Sequence, residues 1–315
     1  MSRLASVLAM TVGRISPRYR TIDQWAEIYD QIIASRPISE KTRANRRAHV
    51  RRILSVLGGR TISSIRPHEI ARPVAELAAE HSYAAKRMLI EARDMFAEAL
   101  NYGWVDRNPA MAVRPPRIRI ARRRLTFEQW RKIYAWAVAK SPPWVPLMLL
   151  LALVTGQRRG DLRKMRLSDV WDGLLHVQQE KTGTRIAIPL GLRLDEVNLS
   201  VGVVIERCRD YAPVEQGGDA WLLRKTTTGQ LVAPSLSWRF EQARDGALGE
   251  HTGGGNPPSL HECRSLSERL YREHGVDTQT LLGHSNQAMT DVYNDDRGLS
   301  AREGKWKTLL LPESI

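Results

Sequence analysis

The sequence predicts a mainly α protein with small β elements, an all-helical first domain followed by a mixed α/β second one. Three observations carry that expectation. From Thr21 to about Ala112 the apolar residues recur at helical spacing. The stretch AVRPPRIRIARRRLT, residues 112–126, then combines two prolines with six arginines and leaves little to pack. Beyond it, helical patterns are interrupted by one short hairpin pattern. The expected organisation is a lead-in over 1–20, a helical domain over 21–112, a basic linker over 113–124, and a second domain with a C-terminal tail over 125–315.

Each element has its own signal. The lead-in holds an apolar run from Leu4 to Val12, too short to span a bilayer and without a clean cleavage site. Ser39-Glu40-Lys41 opens a helix in which Val50, Ile53, Leu54 and Leu57 share a face, and Gly58-Gly59 stops it. A second long helix covers roughly Ser82 to Tyr102, with Leu89, Ala92, Phe96 and Ala99 on one side. Arg43, Arg46, Arg47, Arg51 and Arg52 decorate the first helix; Lys86, Arg87 and Arg93 decorate the second. Such a face is either solvated or turned to DNA, and the density of arginine favours DNA. In the linker, Arg114, Arg117, Arg119, Arg122, Arg123 and Arg124 suit a path along phosphates.

After the linker, Thr126 and Gln129 form a capping-box pattern. WVPLMLLLALVTG, residues 144–156, is apolar nearly all round and reads as a buried core helix ending at Gly156. LLHVQQEKTGTRIAIPL, residues 174–190, alternates on both sides of Lys181-Thr182-Gly183, a hairpin with Lys181 beside the turn. Helical patterns follow from about Leu194 to Tyr211 and from Ser235 to Ala247. Ser259 and Glu262 make a second capping-box pattern.

Composition narrows the function. The chain has 315 residues and a formal net charge of +14, with a pI near 10.2. That surplus points to a polyanionic partner, nucleic acid ahead of a membrane surface. Two cysteines, Cys208 and Cys263, with no CxxC, argue against a disulfide framework or zinc ribbon and for a reducing cytoplasm.

The chemistry-bearing residues come in a fixed order. In HECRSLSERL, His261 and Arg264 stand at i and i+3, on one helix face. Arg264 offers a permanent planar charge for two oxygens of one phosphate, and His261 a proton shuttle. HExxH is incomplete, since the fifth position is Ser265, and the acids do not cluster as a two-metal nuclease requires; no metal is expected. HxxR alone is a weak signal. TGQRRGDL places Arg158 where the buried helix breaks, with Asp161 three residues on to steady it. Lys181 follows on its turn. LLGHSNQAMTDVYNDDRG adds His284 and Tyr293.

In that order of residues the sequence resembles the tyrosine recombinases, specifically the phage lambda type of integrase. TGQRRGDL, EKTGTRIAIPL, HECRSLSERLY, LLGHSNQAMTDVY and NDDRG match the family pattern in order, over nearly the whole chain from Thr21. The resemblance implies a helical, SAM-like core-binding domain and a mixed α/β catalytic domain, together a C-shaped clamp on duplex DNA. It implies Tyr293 as the nucleophile that forms a 3′-phosphotyrosyl link. Arg158 and Arg264 would bind the non-bridging oxygens. Lys181 would protonate the leaving 5′ oxygen, His261 and His284 would serve the phosphate and the proton, and Asp161 would support the site. It implies no cofactor and no small-molecule substrate. The partners would be attachment-site DNA, a homotetramer on that DNA and a directionality factor, in the cytoplasm and nucleoid of a bacterial host. The WKTLLL run of the tail would exchange a strand with a neighbour or pack on its own subunit. Only about 20 residues precede the core-binding region, too few for the arm-binding domain of lambda-type integrases, so the expectation is either a recombinase that works without arm sites or a truncated chain. A chromosome-dimer resolvase, a type IB topoisomerase and a DNA-binding regulator with a decayed site are the competing expectations.

Overall fold

A computed structural model describes residues 20–118, 123–211, 219–225, 229–249 and 256–294. The chain divides into two compact units, Met1–Ile120 and Ala121–Ile315. Among the described residues, no helix is long and apolar enough to cross a membrane.

The first unit is helical. Helix α1 (Ile22–Ser35) begins at a capping box in which Thr21 and Gln24 bond reciprocally. Helix α2 (Glu40–Leu57) is capped by the Ser39 side chain and ends at Gly58. Helix α3 runs from Pro67 to Asn101 and is longer than the expected Ser82–Tyr102. It bends at His81, whose backbone leaves helical geometry (φ −131°, ψ 65°). Its first half contains Pro73, a breaker by rule, buried here within the helix. Trp25, Tyr29, Ile53, Met88, Met95 and Phe96 fill the core. The buried Trp25 indole donates to Met95 O at 3.0 Å, so its polar edge is satisfied.

A polar network crosses this core and corrects one expectation. Arg46 does not face outward to DNA. Its Nε donates to Glu91 Oε1 at 3.0 Å, and its Nη2 donates to Tyr29 Oη at 2.6 Å and to Asp94. Arg36 donates to Asp94 at 2.6 Å and also pairs with Glu98. The reason is geometric: α1 and α3 bring Tyr29, Glu91 and Asp94 to the one turn of α2 that holds Arg46, and a guanidinium inside a core takes carboxylates. Arg47 is likewise held by Asp30, at 2.6 and 2.9 Å. Arg43 pairs with Glu40 and reaches the carbonyls of Ala34 and Arg36. Arg51 and Arg87 stay exposed and Lys86 half-buried. Replacing Arg46 with Met is expected to destabilise the first unit by about 3 kcal/mol, because Glu91 keeps its burial and loses its cation. Urea unfolding of the variant checks this; unchanged stability with weakened DNA binding would restore the outward orientation.

In the second unit, Arg124, counted with the exposed linker by sequence, is buried. It pairs with Glu262 at 3.1 Å. Arg114 and Arg117 are exposed, Arg123 is half-buried, and Arg119 and Arg122 lie outside the described residues. Helix α4 (Phe127–Lys140) opens with the Thr126–Gln129 capping box. Helix α5 (Trp144–Thr155) is buried on all sides and forms the centre of the core. One turn of helix, α6 (Arg159–Leu162), follows Arg158. Strands β1 (Val170–Trp171), β2 (Leu174–Gln178) and β3 (Arg185–Pro189) form an antiparallel sheet in that order, with Val177 opposite Ile186. Leu175, Val177, Ile186 and Ile188 point into the core.

Two further expectations are corrected. The helix expected from Leu194 begins only at Val201: β4 (Arg193–Leu194) and β5 (Leu199–Ser200) pair first, through a turn at Asn198 in left-handed geometry (φ 55°). Helix α7 is Val201–Tyr211 and α8 is Ala233–Leu248. Helix α9 (His261–Glu273) lacks the Ser259–Glu262 box; Leu260 sits at its N-cap without a side-chain bond, because Arg124 takes the Glu262 carboxylate. Helices α10 (Thr278–Leu282) and α11 (Gln287–Asp291) lead to a short 3-10 turn, Val292–Asn294. The tail, 295–315, lies outside the described residues.

Candidate active site

Two glycines set the frame. Gly156 ends α5 in left-handed geometry (φ 63°), and a Cβ there would meet Ser267 Oγ at 3.0 Å and Leu282 Cδ2 at 3.1 Å. Gly283 ends α10 the same way (φ 61°), and a Cβ would meet Ile186 Cδ1 at 2.8 Å and the Gln179 amide at 3.1 Å. Both positions require glycine for conformation and for space. Between these turns lies Arg264, 1% exposed on α9. Its Nη1 donates to Gly156 O at 2.8 Å, and its Nη2 donates to Leu282 O at 2.6 Å and to His284 Nε2 at 3.1 Å. These hydrogen-bond partners are two carbonyls and an imidazole, with no carboxylate among them. Burial, and then the charge of Arg158, pull the Arg264 pKa down to about 10, so the cation persists at neutral pH.

Tyr293 closes the site. Its Oη stands 3.2 Å from His261 Nε2, and its ring lies 5.7 Å from the Arg264 guanidinium carbon. The His284 ring lies 5.4 Å away at 24°. Its segment is fastened by its own chain. Ser265 Oγ donates to Tyr293 O at 2.9 Å, Arg124 donates to Val292 O, and both Arg272 Nη atoms reach Asp291 at 3.1 Å. With bare Nε2, His261 accepts the phenolic proton; with Nε2–H it donates to Oη instead. The first tautomer makes it a base for the phenol.

His284 has a defined proton. Arginine has no acceptor, so Nε2 accepts from Arg264, and Nδ1 carries the hydrogen and donates to Thr290 Oγ1 at 2.9 Å. Burial, then the charges of Arg264 and Arg158, lower its pKa from 6.5 to about 4. Between those values the unfolded chain binds a proton that the folded chain refuses. Stability is therefore present above pH 6.5 and lost as pH falls toward 4, at most about 3 kcal/mol in full. Urea midpoints measured across that window should fall less steeply for His284→Asn; equal slopes would remove His284 as the source.

Arg158 caps α6 and donates from Nη1 to Gln179 Oε1 at 2.6 Å. Asp161, expected to steady Arg158, does not bond it. Its carboxylate turns to the hairpin and accepts from Glu180 N at 2.8 Å, since Arg158 turns to Gln179 instead. Lys181 is exposed on the turn and makes no hydrogen bond or ion pair among the described residues. The structure thus gathers Arg264, His284, His261 and Tyr293 by direct contact, and Arg158 by its charge. It leaves Lys181 apart. Sequence reading put Arg124 in the linker and missed Gln157, Gln179, Ser265 and Thr290, each a neighbour in the chain or the fold of a residue it found. The only signal was polar side chains flanking the marked arginine and lysine.

Such a pocket, a buried guanidinium and a second cation facing a phenol and two imidazoles, suits attack on a phosphate ester. Comparisons with known proteins agree in kind. Residues 123–298 match the Phage integrase family. The prophage integrase IntE of Escherichia coli (strain K12) is 41% identical over 301 residues, covering 92% of this chain and 78% of that protein. A lambda integrase dimer bound to a COC′ core site superposes with a TM-score of 0.83 at 33% identity, covering 98% of this chain and 84% of that one. A lambda integrase tetramer bound to a Holliday junction gives 0.83 at 32%, with the same coverage.

Proposed function

We infer the reaction from one premise: this chain belongs to the phage integrase family. It is a site-specific tyrosine recombinase, an enzyme that cleaves and rejoins DNA to integrate phage-type elements. In the proposed reaction Tyr293 Oη attacks a backbone phosphorus, with its proton passing toward His261. The phosphorus–oxygen bond to the 5′ carbon's oxygen breaks, leaving a 3′-phosphotyrosyl link. That oxygen departs as a 5′-hydroxyl with a proton from Lys181. A 5′-hydroxyl from the partner duplex then attacks the link and frees Tyr293. The phosphotyrosyl bond retains the energy of the broken ester, so rejoining needs no nucleotide hydrolysis. Arg158 and Arg264 offset the charge that gathers on the non-bridging oxygens, His284 orients Arg264 and the phosphate, and Asp161 anchors the Lys181 turn.

The observation that carries this is the 3.2 Å approach of Tyr293 Oη to His261 beside the buried Arg264. The first unit is proposed as the core-binding domain, with Arg51, Lys86, Arg87, Arg114 and Arg117 as its phosphate contacts. The proposed assembly is a tetramer on two duplexes, with a directionality factor as a further partner, acting on nucleoid DNA in a bacterial cytoplasm. The test is covalent trapping. Nicked duplexes carrying the attachment site are incubated with the protein in chelator, and the adduct is resolved on a denaturing gel and mapped by mass spectrometry. A phosphotyrosyl peptide containing Tyr293 is the expected product. Tight binding to the site with no adduct at all would favour a DNA-binding regulator instead.

Lys181→Ala is expected to slow adduct formation about 100-fold on an ordinary ester. It should have little effect when the leaving oxygen is replaced by sulfur, which departs without an acid. Equal slowing on both substrates would assign Lys181 to DNA contact.

A further inference from the structure

The side chain of Gln179, 1% exposed at the end of β2, uses every hydrogen-bonding position it has. Its Oε1 accepts from Arg158 Nη1 at 2.6 Å and from Thr182 Oγ1 at 2.9 Å. Its Nε2 donates to Gln157 Oε1 at 2.9 Å and to Leu282 O at 3.0 Å. Those four partners belong to separate parts of the site. Arg158 is one phosphate cation. Thr182 follows Lys181 on the turn. Leu282 O also receives Arg264 Nη2 at 2.6 Å and stands two residues before His284. Gln157 is itself buried and donates to Leu281 O at 2.8 Å, doubling the tie to the same loop.

We propose that Gln179 is a positioning residue for strand cleavage, setting Arg158, the Lys181 turn and the Leu282–His284 loop in one geometry. The proposal rests on the recombinase reading above. No other residue type of this size supplies two acceptor and two donor sites at once. A glutamate keeps both acceptors and faces two oxygens, Gln157 Oε1 and Leu282 O, with no proton to give them. It would also neutralise Arg158, whose charge the phosphate requires. A methionine fills the volume and loses all four bonds. Because the amide is 3.1 Å from the space a Cβ on Gly283 would take, the loop can close on it only while that glycine is kept.

The experiment measures single-turnover adduct formation at saturating nicked duplex, with DNA affinity and unfolding midpoint measured alongside. Gln179→Met and Gln179→Glu are each expected to lower the cleavage rate about 100-fold, the scale of a small misplacement of reacting groups, with affinity unchanged within about threefold. A sulfur leaving group should recover part of the Gln179→Met loss, the part that passes through Lys181, and leave the Arg158 part. A residue that only holds the fold would move the midpoint and not the rate well below it; that result, or a wild-type rate, overturns the proposal. Should Gln179→Met fail to fold, Thr182→Val tests the same tie from the exposed turn. It is expected to slow cleavage about tenfold with full recovery on the sulfur substrate, and a wild-type rate there overturns the link to Lys181. If the parent protein forms no adduct in this assay, the recombinase reading fails first and takes the proposal with it.

Discussion

Tyr293→Phe is expected to remove the covalent adduct altogether, a loss of about 10⁴-fold or more in cleavage, while DNA affinity stays within about twofold. The substitution is clean because of what surrounds the ring. Phenylalanine keeps the face toward the Arg264 guanidinium and the stack on His284. It gives up the exposed 3.2 Å hydrogen bond to His261 and the phenol oxygen's interaction with the Arg264 guanidinium. The main-chain bonds from Ser265 and Arg124 are to carbonyls and survive. Folding stability should therefore change by no more than about 1 kcal/mol. The same gel that detects the parent adduct checks the outcome. An adduct that persists at equal rate would mean another residue attacks, and Tyr293 would become a lid over the arginine.

Arg264→Lys comes next in size. Cleavage is expected to fall about 10³-fold, at the upper end for losing one preorganised charge donor. Lysine keeps the charge but not the shape. A guanidinium spans Gly156 O, Leu282 O and His284 at once, with in-plane N–H groups left for an oxyanion; an ammonium at the end of a shorter chain cannot. A second readout separates charge from geometry. Burial is the larger cause of the low His284 pKa and Arg264 the next. Nuclear magnetic resonance titration should show His284 still depressed in Arg264→Lys, and raised part of the way from about 4 toward 6.5 in Arg264→Met. Near-normal cleavage by Arg264→Lys would reduce Arg264 to a source of field. An unmoved His284 in Arg264→Met would leave burial and the charge of Arg158 as the causes of its shift.

Much of this molecule is legible without coordinates, and the limits have physical causes. Helix α5 reads directly because nothing polar interrupts it and only glycine can make its final turn. The β2–β3 hairpin reads because alternation of period two flanks a turn. His261 and Arg264 read as partners because i and i+3 share a helix face. Arg124 does not read: in a run of arginines each looks exposed, and the glutamate that buries this one lies 138 residues away. Arg46 fails for the same reason, since Glu91 and Asp94 stand 45 and 48 residues on. Gln179 fails most completely, its partners being 3, 21, 22 and 103 residues distant. Local pattern finds surfaces and periods. It does not find the inward-turned polar side chain whose partners come from elsewhere in the chain.

The fastening of the Tyr293 segment has a bearing on heredity. Three side chains of the same polypeptide hold Asp291, Val292 and Tyr293 beside their own Arg264. With Tyr293 as nucleophile, a defective subunit cannot borrow one from its neighbour. Two alleles, one lacking the tyrosine and the other the arginine, would then fail to rescue each other when expressed together, however well their products co-assemble. On that assignment the genetic unit of cleavage would be the single chain, whatever number of chains the exchange requires.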